Sequence, residues 1–197
     1  MNLLEAFQVD SQTPGVYREL EVGFTEYRFT DAIPKILAPN NVIQEVADLL
    51  QQYDEFMIIV NLKMVPERSG MDTVFSLEDK NSGKAVFALW TDAKRRKVGF
   101  KVLTSSGREK GVPFKHLNID SEQWYNIVAR VYRKKSNDTN SAVEMFINCE
   151  NVGTLDLPSS LSVNAHNHSL RFLLGQRGRD GKSSWSKWSV SILYLHC

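Results

Sequence analysis

Carboxylates, thiols and clustered cations are the side chains of this sequence whose spacing could do chemistry. Glu19-Leu20-Glu21 would put two carboxylates on one face of a strand, and paired carboxylates across a cleft are the machinery of glycoside hydrolysis. A lone pair of this kind near the start of a chain reads more simply as a solvated strand edge. No G-x-S-x-G, H-E-x-x-H, P-loop or dinucleotide fingerprint is present. No catalytic residue is therefore assigned, and the sequence is read as non-enzymatic. The two cysteines, Cys149 and Cys197, belong to no C-x-x-C pair, and His116, His166, His168 and His196 show no matching ligand spacing. No metal site and no cofactor are expected. An even pair of cysteines fits a disulfide and an oxidising compartment; two free thiols are the alternative.

Cations offer a different chemistry. The net charge is +1, which excludes a strongly basic nucleic-acid arm or an acidic tail. The distribution is uneven: residues 1–60 carry ten acids and three bases, whereas residues 61–197 carry 13 acids and 21 bases. Lys94 to Lys115 holds eight Lys and Arg against the single acid Glu109. Arg130, Arg133, Lys134 and Lys135 form a second group, and Arg177, Arg179, Lys182 and Lys187 a third. Such segregation can give a near-neutral protein a positive face that attracts polyanions; solvated loop tips are the plainer alternative. Aromatic residues do not interleave with these groups as a base-stacking platform would, so nucleic acid is not the expected partner.

The elements that would position these groups are mostly strands. With 197 residues, 42% of them hydrophobic, the chain can bury one sizeable core and reads as a single domain over 1–197. The longest apolar run, Phe56 to Val60, is strand-sized, so no membrane insertion is expected. The start, Met1-Asn2-Leu3-Leu4-Glu5, does not read as a signal peptide. One amphipathic helix follows Pro39: Val42/Ile43, Val46, Leu49/Leu50 and Tyr53 recur at helical spacing, with Asn40 or Asn41 as cap and Gln44 placed to close a capping box. After it, strands are predicted at Phe56–Lys63, Thr73–Leu77, Ala85–Trp90, Val98–Val102, Trp124–Tyr132, Ala142–Cys149, Ser169–Leu174 and Ser189–Leu195. Short alternating strands separated by turns indicate an all-β antiparallel β-sandwich, with the helix as a decoration. Asn137-Asp138-Thr139 and Asn167-His168-Ser169 are glycosylation sequons, so Asn137 and Asn167 are candidate glycan carriers. Trp185-Ser186-Lys187-Trp188 has C-mannosylation spacing, and Arg177-Gly178-Arg179-Asp180 misses the adhesion tripeptide by its order.

The order of pieces resembles the thrombospondin N-terminal domain, a laminin-G-like module, over about residues 5–197. The resemblance rests on Glu26-Tyr27-Arg28-Phe29, the helix Val42–Gln52 and the strand Phe56–Lys63. It continues through Thr73–Asp79, Trp124-Tyr125, Met145-Phe146-Ile147-Asn148-Cys149-Glu150, Leu155-Asp156-Leu157-Pro158 and Leu170–Gln176. It implies a secreted, extracellular-matrix β-sandwich of laminin-G/concanavalin-like jelly-roll topology with one disulfide, here Cys149–Cys197, and no catalysis. Some laminin-G-like domains bind Ca2+ at the rim; this sequence supplies no ligand set for it. An isolated domain of this family is expected to be monomeric, its parent protein oligomeric.

Members of that family bind heparin and heparan sulfate on a basic face, and also cell-surface receptors and matrix proteins. The positions that match the family's site are Arg28 and Lys63, with Arg68 left of a basic pair that Pro66 and Glu67 interrupt. The residues themselves point to a second set: Lys94, Arg95, Arg96 and Lys97 at a hairpin tip, extended by Lys101 on the next strand. Guanidinium groups engage sulfate through two N–H donors and ammonium groups add point charge. The expected function is a binding module for heparan sulfate and cell-surface partners through basic loops. The alternative is a protein-docking N-terminal domain, of the kind found in collagen-like or NELL-like secreted proteins, without glycosaminoglycan binding.

Overall fold

A computed structural model describes residues 1–21, 23–29, 36–64, 71–92, 94–104, 106–115, 117, 119–120, 122–133, 141–157, 169–175 and 188–196. Arg68, Asn137, Asn167, Cys197, the basic residues 134–135 and 177–187, and the Trp185 position lie outside the described residues. Strands dominate: β1 Val16–Glu21, β2 Phe24–Phe29, β3 Ile36–Leu37, β4 Glu55–Met64, β5 Asp72–Asp79, β6 Ala85–Asp92 and β7 Lys97–Leu103. Then come β8 Glu109–Phe114, β9 Trp124–Arg133, β10 Ser141–Ile147, β11 Glu150–Asp156, β12 Leu170–Leu174 and β13 Trp188–His196. A seven-stranded sheet has the order β1-β2-β13-β4-β9-β10-β11, and a six-stranded sheet has the order β3-β12-β5-β6-β7-β8. All the pairings are antiparallel. The fold is a two-sheet β-sandwich of the jelly-roll kind.

Period-two sequence builds the inner faces. In β4 the buried positions are Phe56, Ile58, Val60, Leu62 and Met64, alternating with half-exposed residues. In β9 they are Tyr125, Ile127, Ala129 and Val131, and register sets Ile58 opposite Ala129 and Val60 opposite Ile127. The six-stranded sheet answers with aromatic rings: Phe87 stacks on Phe100 at 5.3 Å and meets Phe56 edge-on at 5.9 Å, while Phe75 sits edge-on to Phe172 at 5.7 Å. The Phe56–Phe87 pair joins one sheet to the other across the core. Edge-to-face rings of this kind add roughly 0.5–1.5 kcal/mol beyond area burial.

The helix lies where the apolar spacing puts it, as α2, Asn40–Gln52, burying Val42, Val46, Ala47 and Leu50. It follows a four-residue turn of helix, α1 at Leu3–Ala6, which sequence spacing did not reveal. The capping box is corrected. Pro39 occupies the cap position and makes no side-chain cap bond, and Asn40 and Asn41 are already helical. A capping box needs a backbone N–H on the cap residue, which proline lacks. Gln44 instead donates to Asp48 one turn on, at 2.7 Å.

The predicted strands omit five of those observed, β1, β2, β3, β8 and β11. All but β2 lie at a sheet edge, where side-chain alternation is weakest. One position holds the six-stranded sheet to tight tolerance. Gly99 lies under the indole of Trp90, and a Cβ there would stand 2.5 Å from Trp90 Cζ2 and 2.6 Å from the Val112 carbonyl of the next strand. Gly99→Ala is expected to lower unfolding free energy by about 1–3 kcal/mol through overpacking, read as a lower urea midpoint at unchanged slope. An unchanged midpoint would mean that β7 and β8 separate without cost.

Candidate functional site

Arg28 and Lys63 do come together. Register aligns both with Ser189, so they flank β13 on the outer face of the seven-stranded sheet. Their charges, however, face inward to an acid. Glu26 is fully buried, with Lys63 Nζ 3.2 Å from one carboxylate oxygen and Arg28 Nε 3.6 Å from the other. Arg28 also donates to Glu19 at 2.9 Å. Lys63 lies 4.9 Å from the centroid of Trp124, whose ring meets Phe24 edge-on. This is a structural cluster: among the described residues two cations meet Glu26 and Glu19. Glu19, one half of the E-x-E pair, is ion-paired to Arg28 on the edge strand β1, while the side chain of Glu21 lies outside the described residues.

The second set forms the tip of the β6–β7 hairpin of the other sheet, where Arg96 reaches Asp120, two residues before Glu122, whose N–H bonds the Met64 carbonyl beside Lys63. Within it, pairing divides the cations. Arg95 bridges to the buried Asp92 at 3.1 Å and takes its own backbone N–H to the same carboxylate. Arg96, in a left-handed conformation at φ 50°, bridges to Asp120 at 2.9 Å. Lys94 and Lys97 have no ion pair among the described residues. Lys101 stands on β7, opposite Gly111 of the edge strand β8.

The structure adds two cations to this edge that were counted in the basic stretch but not assigned to a site. Lys115 follows β8 directly, and continuing the register that sets Val98 opposite Phe114 places it beside Lys97. Lys110 stands opposite Val102, at the other end of β8. Both are exposed and lack an ion pair among the described residues. They line a groove of roughly 700 Å³ whose walls are the two sheet edges, residues 110–115 of β8 and its exit and residues 152–157 of β11 and its exit. The only signal in the sequence was density, eight cations in the stretch Lys94–Lys115. Which of them are free of partners depends on Asp92 and Asp120, and pattern reading does not reach that.

The expected Cys149–Cys197 bridge is not shown: Cys197 lies outside the described residues. Cys149 is a free, exposed thiol, in the two-residue β10–β11 turn rather than at the end of a strand. Asn148 at φ 50° and Cys149 at φ 68° give that turn the left-handed pair of a type I′ hairpin. Register carries the end of β13 elsewhere: His196 pairs with Met57, Met57 with Arg130 and Arg130 with Glu144. The Cys149 turn is held instead at Asn126, whose carbonyl accepts from Asn148 N–H. Three strand spacings and four residue steps separate these points, about 19 Å. Among the described residues no group of three His, Cys, Asp or Glu could hold a metal ion, and no helix is long and apolar enough to cross a membrane.

No family model and no curated protein sequence matches the chain. Solved structures do. The botulinum neurotoxin type G receptor-binding domain superimposes with a TM-score of 0.57 at 10% identity, over 93% of this chain and 41% of that one. A NanB structure with Optactamide gives 0.61 at 14% identity, over 87% and 25%. The Ruminococcus gnavus IT-sialidase CBM40 gives 0.57 at 14% identity, over 87% of this chain and 90% of that one. The chain thus spans about two-fifths of the toxin domain and a quarter of NanB, but nearly all of the CBM40. At such identities the likeness establishes the sandwich fold.

The Glu26 cluster has a measurable signature. Lys63→Met strips an ammonium from a buried carboxylate and is expected to cost about 3 kcal/mol, whereas Arg28→Ala, at a half-exposed side chain, costs under about 1 kcal/mol. Adding Glu26→Gln to Lys63→Met should recover part of the loss. Equal costs for the two single variants in urea unfolding would show that Lys63 does not carry the cluster.

Proposed function

We propose that this chain is a non-enzymatic, extracellular binding module that recognises a sulfated glycosaminoglycan through the β7–β8 edge of its six-stranded sheet. The observation that carries the reading is the state of the cations there. Lys94, Lys97, Lys110 and Lys115 have no ion pair among the described residues, and Arg95 and Arg96 stand beside them on the same edge. An anionic chain gains most from cations that no carboxylate of the protein already neutralises. Support comes from two further directions. The sequence resembles thrombospondin N-terminal domains, and among the structures of like fold the CBM40 has been solved with α2,3- and α2,6-sialyllactose bound. A carbohydrate partner suits both, and the free lysines select an anionic one. A secreted, matrix location follows from the same resemblance; the free thiol of Cys149 removes the disulfide as an argument for it.

One observation favours the alternative, a protein-docking domain without glycosaminoglycan binding. The positions that match the thrombospondin heparin site, Arg28 and Lys63, are spent on Glu26 and Glu19. On that reading the β7–β8 edge is merely solvated.

Heparin retention across a salt series decides between them. Wild type is expected to elute from heparin well above its elution from a plain cation exchanger. Changing Lys94, Arg95, Arg96 and Lys97 together to Glu should abolish that excess and flatten the slope of log affinity against log salt by about three. Arg28→Ala should elute with wild type. Equal retention of wild type on heparin and on the plain exchanger would sink the glycosaminoglycan reading.

A further inference from the structure

The groove between β8 and β11 has features that the basic hairpin tip does not explain. It runs along one side of the sandwich, where the last strand of each sheet has no neighbour among the described residues. An unpaired edge ordinarily invites another strand. Both edges here are disabled for that. Pro113, next to last in β8, removes a backbone donor there. On β11 the register against β10 slips between Met145 and Phe146, leaving Val152 as an extra, bulged residue beside Gly153 at φ 128°. A peptide could not zip onto either wall with a continuous ladder.

What the groove does offer is charge at its ends and apolar surface between them. Lys110 shares the inward face of β8 with Val112 and Phe114, because its cross-strand partner Val102 belongs to the core. Lys115 follows the other end of β8 on the outward side, beside Lys97, and lines the mouth of the groove. Five residue steps of strand separate the two ammonium-bearing positions, about 17 Å. Val112, Val152 and Leu155, all partly buried and packed against the core, lie between them. Asp156, the one acid on the walls, stands opposite Ala142 on the outward face of β11.

We infer that this groove seats a linear sulfated glycan lying along β8, gripped at two anionic groups by Lys110 and Lys115, with sugar C–H faces resting on Val112 and Leu155. The inference rests on the glycosaminoglycan reading above and places the chain in it: the β6–β7 tip attracts, and the groove orients and measures length. A single small anion cannot bridge the two lysines. A disaccharide is too short, whereas a hexasaccharide spans them.

The test uses methyl NMR spectra of the whole chain titrated with heparin-derived disaccharide and hexasaccharide. The hexasaccharide is expected to shift the methyls of Val112, Val152 and Leu155 together with the amides of Lys94–Lys97; the disaccharide should shift the amides alone. Lys110→Gln with Lys115→Gln, both at exposed positions, should weaken hexasaccharide about tenfold and erase the methyl shifts, yet keep the amide shifts. Amide shifts with silent methyls in wild type, or unchanged hexasaccharide affinity in the double variant, would overturn the groove and leave the general reading intact. If neither oligosaccharide shifts anything, both fall. A poly-glutamate peptide of matched charge that moves the same methyls as strongly would overturn the glycan in favour of an acidic polypeptide.

Discussion

Everything in this molecule hangs on one apolar slab, shared by two sheets whose side chains alternate in and out along every strand. β4 and β9 supply one side of it with Ile58, Val60, Leu62, Ile127 and Ala129; Phe75, Phe87, Phe100 and Phe172 supply the other. Because the side-chain period is two, a slip of one residue in any of these strands would turn its apolar set to water. Register is therefore held by burial, and register in turn decides which polar residues meet on the outer faces. The placement of Arg28, Ser189 and Lys63 in one row is a consequence of the core.

The same constraint sorts the charges. Along the outer face of the seven-stranded sheet cations find acids: Lys63 and Arg28 on Glu26, and Arg130 on Glu55 at 2.7 Å with Glu144 beside it. The hydrogen bond and the charge of Glu55 hold the Arg130 guanidinium well above its ordinary pKa. On the six-stranded sheet, Arg171 clamps the fully buried Glu78 through two donors. At the β7–β8 edge acids run short. Asp92 and Asp120 engage the two arginines of the hairpin tip, and Lys94, Lys97, Lys110 and Lys115 have no ion pair among the described residues. A near-neutral chain thus presents a cationic edge, drawn from its densest basic stretch, Lys94 to Lys115.

Legibility followed the physics of each element. Long central strands with one face in the core, such as β4 and β9, announce themselves by alternation, and α2 by its three-to-four spacing. Edge strands do not. β8 contains Gly111 and Pro113, and β11 contains a glycine and a bulge, so neither has a pattern to detect; yet these two frame the groove. Lys110 and Lys115 could be seen as part of a dense basic stretch, but no spacing rule marks the ends of a groove made by strands some forty residues apart in the chain. The capping box failed for a local reason, the missing N–H of Pro39.

What the amino-acid order determined by itself was the class of fold, the helix after Pro39, the hairpin that carries Lys94–Lys97 and the asymmetry of charge along the chain. These are local or composition-borne properties, set by periodicity and by the conformational limits of proline and glycine. Tertiary structure decided the rest: that Arg28 and Lys63 neutralise a buried Glu26, that the Cys149 turn and the end of β13 lie at opposite ends of their sheet, and that the free lysines share one edge with a groove. Each depends on strand order and register across distant segments, where a few ångströms separate an ion pair from a free charge, and Coulomb energy at such range outweighs any trend in composition.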